Sequence, residues 1–593
     1  MTPTDQFIQS TDKYVRVLAG PGAGKSFSLK KRLEYLVDNK VTPERILVLT
    51  FTSVAVQDLK TEITKLNLGE IEVSTLHSLA LRILADEKNG ARRMQDFEVK
   101  TMLRDLEPEI GKIRKQSSGL NKEDLYKELF YNGKSTADDE TKKQFESSLN
   151  EWLKQHNGFV LDDVIPHVCD YLKSTDSAKA KWNYDYILVD EYQDLNPDEQ
   201  EFVEQLLAPN GHLTVIGDDD QSIYGFKGAS PEGIREFANN HTPCMDIRFE
   251  ECYRCPGLIV DKANELIKNN ANRIPKTFTA LSDMQYGYCE CISSDNPADE
   301  VDKVCDLIAA EIDNATVETG QIVVLVPIKQ VGRSIHEALK KANIPSVFYF
   351  RDAVFDNKAV RENFSYLSLA VNRNDLVSWR YLLGEDKGEC KAAGYAHIRK
   401  NAKDTKRSIL EVLDDCANGN KILYTSTIVN SYKSIKDKLE GLVDNPEKLM
   451  KMLSESDSGV RYKTEFQKYS QILDRAIKTE WDTGGYAVVR RAVLDEIFSP
   501  EASSASNNVR IMSLHAAKGL SAKVVIIMSA VEGLLPLDGK DLEEQRRLFY
   551  VAITRCKGGK AGSYPGKLVI STYTESEEGE PRTPSRFIRE INL

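Results

Sequence analysis

Long apolar runs are missing from this sequence. None approaches the roughly 18 consecutive apolar residues that a membrane span needs, and the N-terminus, Met1-Thr2-Pro3-Thr4-Asp5, does not read as a secretory signal. No membrane partner is expected. Positive charge is also short: 79 Lys and Arg face 91 Asp and Glu, for a formal net charge of −12. No global basic field advertises nucleic acid, so a nucleic-acid site has to be a local groove, which net charge does not exclude. Cysteine is sparse, ten in 593 residues. That is too few for a disulfide scaffold and points to a reducing cytoplasm. Cys252-x-x-Cys255 followed by Cys289-x-Cys291 has spacing that a metal site could use; the plainer alternative is reduced, partly buried thiols. The chain is too long for one core, and about three to four folding units are expected.

The most informative stretch present is Ala19-Gly20-Pro21-Gly22-Ala23-Gly24-Lys25-Ser26. An apolar run, Val15-Arg16-Val17-Leu18, precedes it, and a segment with helical spacing of Phe27, Leu29, Leu33, Leu36 and Val37 follows. The order is strand, glycine-rich loop, helix. Glycines let successive N–H groups converge on one point, and a helix N-terminus adds positive potential there. Lys25 is placed to reach the β- and γ-phosphates of a nucleotide, and the Ser26 hydroxyl to ligate Mg²⁺. Ala19 stands where the strict phosphate-loop pattern has Gly; the Gly-Lys-Ser end is intact.

Residues 1–80 read as α/β, with Ile46–Thr52 a buried strand and Val73–Ser78 the end of a third apolar stretch. Residues 85–158 are rich in Lys, Glu, Asp and Gln at helical spacing, without clear strands, and read as a helical insertion. Strands return at Tyr186–Val189, capped by Asp190-Glu191-Tyr192-Gln193-Asp194, and at Leu213–Ile216, capped by Gly217-Asp218-Asp219-Asp220-Gln221. Parallel sheets bind ligands at such strand ends. A second α/β block begins near 275, with strands at Gln321–Pro327 and Ser346–Phe350. From 380 to 505 the chain is again charged and helical, with low-hydrophobicity pieces at Arg399–Arg407 and Ser454–Ser458 and a linker-like run at Ser499–Ser506. Val509–Leu514 and Val524–Met528 then resume the α/β pattern, and Glu575–Glu580 reads as a solvated loop.

Asp190-Glu191 directly after an apolar strand is the arrangement that pairs with a phosphate loop for hydrolysis. Asp190 would hold Mg²⁺ with Ser26, and Glu191 would orient and deprotonate the attacking water. Gln221, on a neighbouring strand end, could sense the γ-phosphate or simply bond the loop. Residue type alone does not separate Arg254 and Arg555 from surface arginines. A small-molecule kinase would not need the patterned segments after residue 500.

Those segments match a family. Thr50-Phe51-Thr52-Ser53, Thr75-Leu76-His77-Ser78, Asp190–Asp194, Gly217–Tyr224, Leu514-His515-Ala516-Ala517-Lys518-Gly519-Leu520 and Gln545–Arg555 resemble, in order, the motifs of the UvrD/Rep/PcrA superfamily 1A DNA helicases. The resemblance runs from Gln6 to the Pro584-Ser585-Arg586-Phe587 ending. It implies an α/β fold of two RecA-like motor domains, each interrupted by a mainly helical insertion: 1–84 with 161–272 around insertion 85–160, and 273–380 with 506–593 around insertion 381–505.

By the same resemblance ATP lies between the motors, Gln6 reads adenine, Tyr253 stacks on it, and Gly519 belongs to the nucleotide set. Arg254 and Arg555 become the γ-phosphate arginines. Phe51, Thr52, His77, Tyr224, Phe226, Lys227 and His515 contact single-stranded DNA, where aromatics suit the task because every base has a π-face. Four departures stand out. Phe226-Lys227 replaces Trp-Arg, Cys252-Tyr253-Arg254-Cys255 replaces Asn-Tyr-Arg-Ser, Ser521-Ala522 replaces Glu-Phe, and the second insertion is short. The implied activity is ATP-driven 3′-to-5′ stepping on single-stranded DNA with unwinding of tailed duplex, in repair, recombination or defence. The alternative is a DNA-sensing ATPase that regulates a partner such as a nuclease.

Overall fold

Runs such as Ile46-Leu47-Val48-Leu49 and Ile322-Val323-Val324-Leu325-Val326 are apolar at every position, so both faces of such a strand must be covered. In the computed structural model they lie inside two six-stranded sheets whose neighbours all run parallel. The described residues are 1–88, 91–110, 122–131, 137–313, 317–350, 354–384, 391–443, 469, 471–473, 475–476, 486–494, 507–560 and 562–593.

The first sheet has the order Glu72–Ser74, Ile46–Leu49, Tyr184–Val189, Leu207–Gly217, Tyr14–Ala19, Cys244–Phe249. The second has the order Tyr288–Ser294, Lys567–Tyr573, Val524–Ile527, Ile322–Val326, Val509–Ser513, Ser346–Phe348. Both sheets fall in one unit, made of Met1–Ala80, Ile165–Phe350 and Glu501–Leu593. Among the described residues, no helix is long and apolar enough to cross a membrane.

Three of these strands carry too weak an apolar pattern to be read from sequence. Cys244–Phe249 and Tyr288–Ser294 are sheet edges that stay partly exposed, and Lys567–Tyr573 buries Ser571 and Thr572 among its apolar residues. The Ser571 hydroxyl is satisfied by the buried Glu300 carboxylate at 2.6 Å, whereas the buried Thr572 hydroxyl has no hydrogen-bond partner. Two expected strands end early. Ile46–Leu49 stops before Phe51 and Thr52, and Glu72–Ser74 stops before His77, which lies in the helix Leu76–Glu87.

The other unit comprises Leu81–Val164 and Arg351–Pro500, so the two insertions share one body and its boundary falls at 351 rather than near 380. Its described part is mainly helical, though Arg92–Arg93 and Gly158–Phe159 form a short parallel bridge where no strand was expected. Its centre is Asp105. Both carboxylate oxygens take donors from Arg380, and Oδ2 also takes the Trp152 indole N–H at 3.0 Å. All three side chains are buried. The weakly hydrophobic run Arg399–Arg407 lies mostly in the helix Ala392–Thr405, which buries Tyr395, Ile398, Arg399 and Ala402. Ser454–Ser458 and Ser499–Ser506 lie outside the described residues.

Candidate nucleotide site and nucleic-acid face

All six strands of the first sheet end on the same side, as parallel strands must, and the segments singled out from sequence follow those ends. Tyr14–Ala19 runs into the glycine loop, and the helix Lys25–Asp38 leaves it with Gly24 as its N-cap. Gly22 and Gly24 have φ of +69° and +80°, the left-handed region that costs a side-chain-bearing residue energy. A Cβ on Gly22 would also sit 2.4 Å from the Cβ of Arg254. Only glycine lets the Arg254 backbone approach the loop this closely.

Opposite the loop stand Asp190 and Glu191. Glu191 itself has φ +56°, a conformation that side-chain-bearing residues adopt mainly where function demands it. Its Oε1 accepts from Lys25 Nζ at 3.0 Å and its Oε2 from the Gln193 amide at 2.6 Å. Burial alone would raise the Glu191 carboxyl, but Lys25 and Lys518 hold it well below the usual carboxylate range. Burial, reinforced by Glu191, pushes the Asp190 carboxyl up to about 6. Burial would lower the Lys25 ammonium, yet Glu191, Asp190 and Asp218 outweigh it and raise it. Lys25 is therefore a committed cation. Ser26 is exposed at the first turn of its helix, so its hydroxyl is accessible beside this acidic pair's lysine.

Gln221 is buried, and its amide donates to Asp218 Oδ2 at 2.7 Å. Asp218, Asp219 and Asp220 form the one cluster of three carboxylates close enough for a metal among the described residues. Cations of the chain itself already occupy them. Lys276 contacts all three, Arg235 donates to Asp219 at 3.0 Å, and Arg273 donates to Asp220 at 2.9 and 2.6 Å. Three acids against three bases make a neutral, rigid mount for Gln221. Nothing in the sequence separated Lys276 or Arg273 from surface basics; their partners lie more than 50 positions away.

Two guanidiniums face the loop. Arg254 Nη1 is buried without a hydrogen-bond partner, and Tyr253, half exposed, donates its N–H to the Gly22 carbonyl at 2.9 Å. Burial, with the charge of Arg254 second, lowers Arg555 to about 9. Two neighbouring buried cations, one with an orphaned donor, fit a polyanion. Gln6 is exposed on the short helix Pro3–Gln9. Gly519 has φ +84° and open space where a Cβ would be.

The cysteines of the possible metal site separate. Cys289 and Cys291 lie on the edge strand Tyr288–Ser294, while Cys252 and Cys255 are buried beside the loop. Among the described residues, no group of three metal-type ligands includes a cysteine.

The aromatic residues form a row. Phe51 stacks on Tyr224 with centroids 5.0 Å apart, Tyr224 meets Phe226 edge-on at 6.0 Å, and Phe226 meets His515 edge-on at 5.5 Å. Phe226 is 57% exposed, which removes the alternative that it packs in a core. The Lys227 ammonium lies 5.4 Å from the Tyr224 ring and 5.9 Å from that of Phe226. Burial, with Lys227 second, lowers His515, so its imidazole is neutral near pH 7. Thr52 is spent locally: its hydroxyl caps the helix Ser53–Lys65 by accepting from the Ala55 N–H. His77 lies 3.7 Å from Glu199.

One residue outside the expected site set joins nucleotide residues and aromatic row. Lys518, beyond the strand Val509–Ser513 of the second sheet, contacts Asp194, lies 3.8 Å from Glu191 and donates to the Gln221 carbonyl at 2.8 Å. The same ammonium is 5.4 Å from the Tyr224 ring. Arg547 adds a second tie between the sheets by donating to the Ser222 carbonyl at 2.7 Å.

Residues 2–242 match the family model described as the UvrD/REP helicase N-terminal domain, and residues 247–483 and 486–560 match that of the UvrD-like helicase C-terminal domain. Similar proteins include an ATP-dependent DNA helicase Rep of Buchnera aphidicola subsp. Schizaphis graminum, 26% identical over 97% of this chain and 94% of that protein. An ATP-dependent DNA helicase PcrA of Staphylococcus aureus is 26% identical over 100% and 86%, and one of Leuconostoc citreum 26% over 99% and 84%.

Proposed function

The chain belongs to the UvrD-like helicase family, and we infer from that premise that it is a DNA-dependent ATPase that steps 3′-to-5′ on single strands and separates tailed duplexes. The observation that carries this reading is the position of Lys518. One ammonium on the second sheet is held by Glu191, Asp194 and Gln221 of the first sheet while it lies over Tyr224. A change at the hydrolytic carboxylates is therefore felt within one side chain of the aromatic row.

The phosphates of ATP enter the glycine loop and compete with Glu191 for Lys25. That exchange releases Glu191 to orient and deprotonate water: with Lys25 drawn to the phosphates, one of the two cations that hold its proton affinity low is gone. Asp190 and Ser26 offer hard oxygen donors and would hold Mg²⁺, which when bound supplies positive charge to the phosphate oxygens. Burial and the neighbouring Glu191 charge raise the Asp190 carboxyl more than Lys25 and Lys518 lower it, so a further cation at this position would be welcome. Arg254 and Arg555 add charge to the γ-phosphate, and Gln221 reads its presence from a mount that cannot shift. The row of half-buried Phe51 and Tyr224 and exposed Phe226, with Lys227 above it, accepts stacked bases and a phosphate. A cytoplasmic setting follows from a DNA substrate and reduced thiols.

Glu191→Gln keeps the shape of the site and removes the base. ATP binding, read by fluorescent-analogue titration, should stay within a few-fold of wild type while turnover falls by at least about 10²; near-normal turnover would assign water activation elsewhere. Phe226→Ala should weaken single-strand binding by about 1–3 kcal/mol without lowering the melting temperature, and Lys227→Ala should flatten the salt slope by about one unit. A destabilised Phe226→Ala protein with unchanged affinity would contradict the stacking role.

Strand displacement on 3′-tailed, 5′-tailed and blunt duplexes with the purified chain alone tests the whole reading. Unwinding of the 3′-tailed substrate only is expected. DNA-stimulated hydrolysis without any displacement would instead support the DNA-sensing ATPase.

A further inference from the structure

Cys252 and Cys255 flank Tyr253 and Arg254, the two residues that reach from the sheet edge to the phosphate loop. Cys252 ends the two-residue strand Glu251–Cys252, paired in parallel with Thr279–Ala280, and Cys255 directly precedes the N-cap Pro256 of the helix Gly257–Ile267. The Cys252 thiol donates to the Pro21 carbonyl of the phosphate loop at 3.0 Å and accepts the Cys255 N–H at 3.4 Å. The Cys255 thiol donates to the Thr554 carbonyl at 3.3 Å, while its own N–H holds the Cys252 sulfur against the same turn. Both sulfurs line a small cavity of about 10 Å³ with Pro21, Phe278, Tyr550 and Thr554, which is roughly the space of one water-sized molecule.

We propose that Cys252 and Cys255 are a dithiol modification site that a small hydroperoxide converts reversibly to a disulfide, switching off the nucleotide site it touches. The Cys252 thiolate attacks one peroxide oxygen, the O–O bond breaks, and the leaving hydroxide takes a proton to become water. The sulfenic acid left on Cys252 is attacked by the Cys255 sulfur. An S–S bond forms, the S–O bond breaks, and a second water departs with the Cys255 proton. Two thiols lose two electrons and two protons, and one hydrogen peroxide becomes two waters. Hydrogen bonding from Cys255, with burial opposing it, brings the Cys252 thiol down to about 6, which suits it as the attacking thiolate.

The consequence for turnover follows from packing and rests on the nucleotide site proposed above. Drawing the Cys252 sulfur toward Cys255 breaks its bond to Pro21. Arg254 cannot follow freely, because its Cβ already lies where a Gly22 side chain would be, and the Tyr253 N–H is bonded to the Gly22 carbonyl.

The test exposes the full chain to limiting hydrogen peroxide, quenches with catalase, maps thiols by alkylation and peptide mass, and follows ATP turnover before and after dithiothreitol. A Cys252–Cys255 disulfide is expected, with turnover reduced at least ten-fold and restored by dithiothreitol. The Cys255→Ser protein should have wild-type basal turnover, form no disulfide and keep its turnover through the same treatment. Thiols that stay free, a different pairing, or a disulfide without loss of turnover would each overturn the proposal. Peptide mapping decides the disulfide even if the reduced protein hydrolyses no ATP, an outcome that would contradict the nucleotide reading instead.

Discussion

Everything at the site hangs on one buried charge chain. Asp190, Glu191 and Asp194 lie within five residues at the end of one strand, and their charges are met by Lys25 from the glycine loop and by Lys518 from the other sheet. Buried ion pairs contribute little net stability, because the desolvation of both partners offsets their attraction; removing one partner is costly. Such a chain is therefore better suited to selecting an arrangement than to adding stability. Here it selects the arrangement in which the second sheet contributes a cation to the hydrolytic acids. On the proposed function, nucleotide phosphates that draw Lys25 away would leave Glu191 and Asp194 more dependent on Lys518, and the grip between the sheets would respond to what sits in the loop.

The net charge of −12 does not describe the surroundings of the site. Asp218, Asp219 and Asp220 are matched one for one by Lys276, Arg235 and Arg273. The aromatic row meanwhile carries Lys227 and Lys518 above its rings. A groove that grips by stacking needs fewer cations than one that grips by phosphate contact alone.

Sequence reading reached the apolar central strands and the residues at their ends, because a continuous apolar run followed by a polar loop is a local signal. It missed Cys244–Phe249 and Tyr288–Ser294, where edge exposure dilutes the pattern, and Lys567–Tyr573, whose Ser571 is satisfied by a glutamate 271 positions away. It placed Lys25, Glu191 and Gln221 but not what holds them. Lys276 and Lys518 act through partners 57 and 324 positions distant, and no spacing rule reaches that far. Phe226 was ambiguous between core and surface until its exposure was seen. The run Arg399–Arg407 is helical despite its low hydrophobicity, because a helix that buries one face of Tyr395, Ile398 and Ala402 needs few apolar residues.

The proposed coupling of hydrolysis to DNA runs through Lys518. It is tested most directly by the ATP turnover of Lys518→Met with and without single-stranded DNA, beside wild type. The wild-type protein should be strongly stimulated by DNA. Lys518→Met should bind ATP and single strands with near-normal affinity and lose most of that stimulation. A Lys518→Met protein stimulated as strongly as wild type would contradict the account.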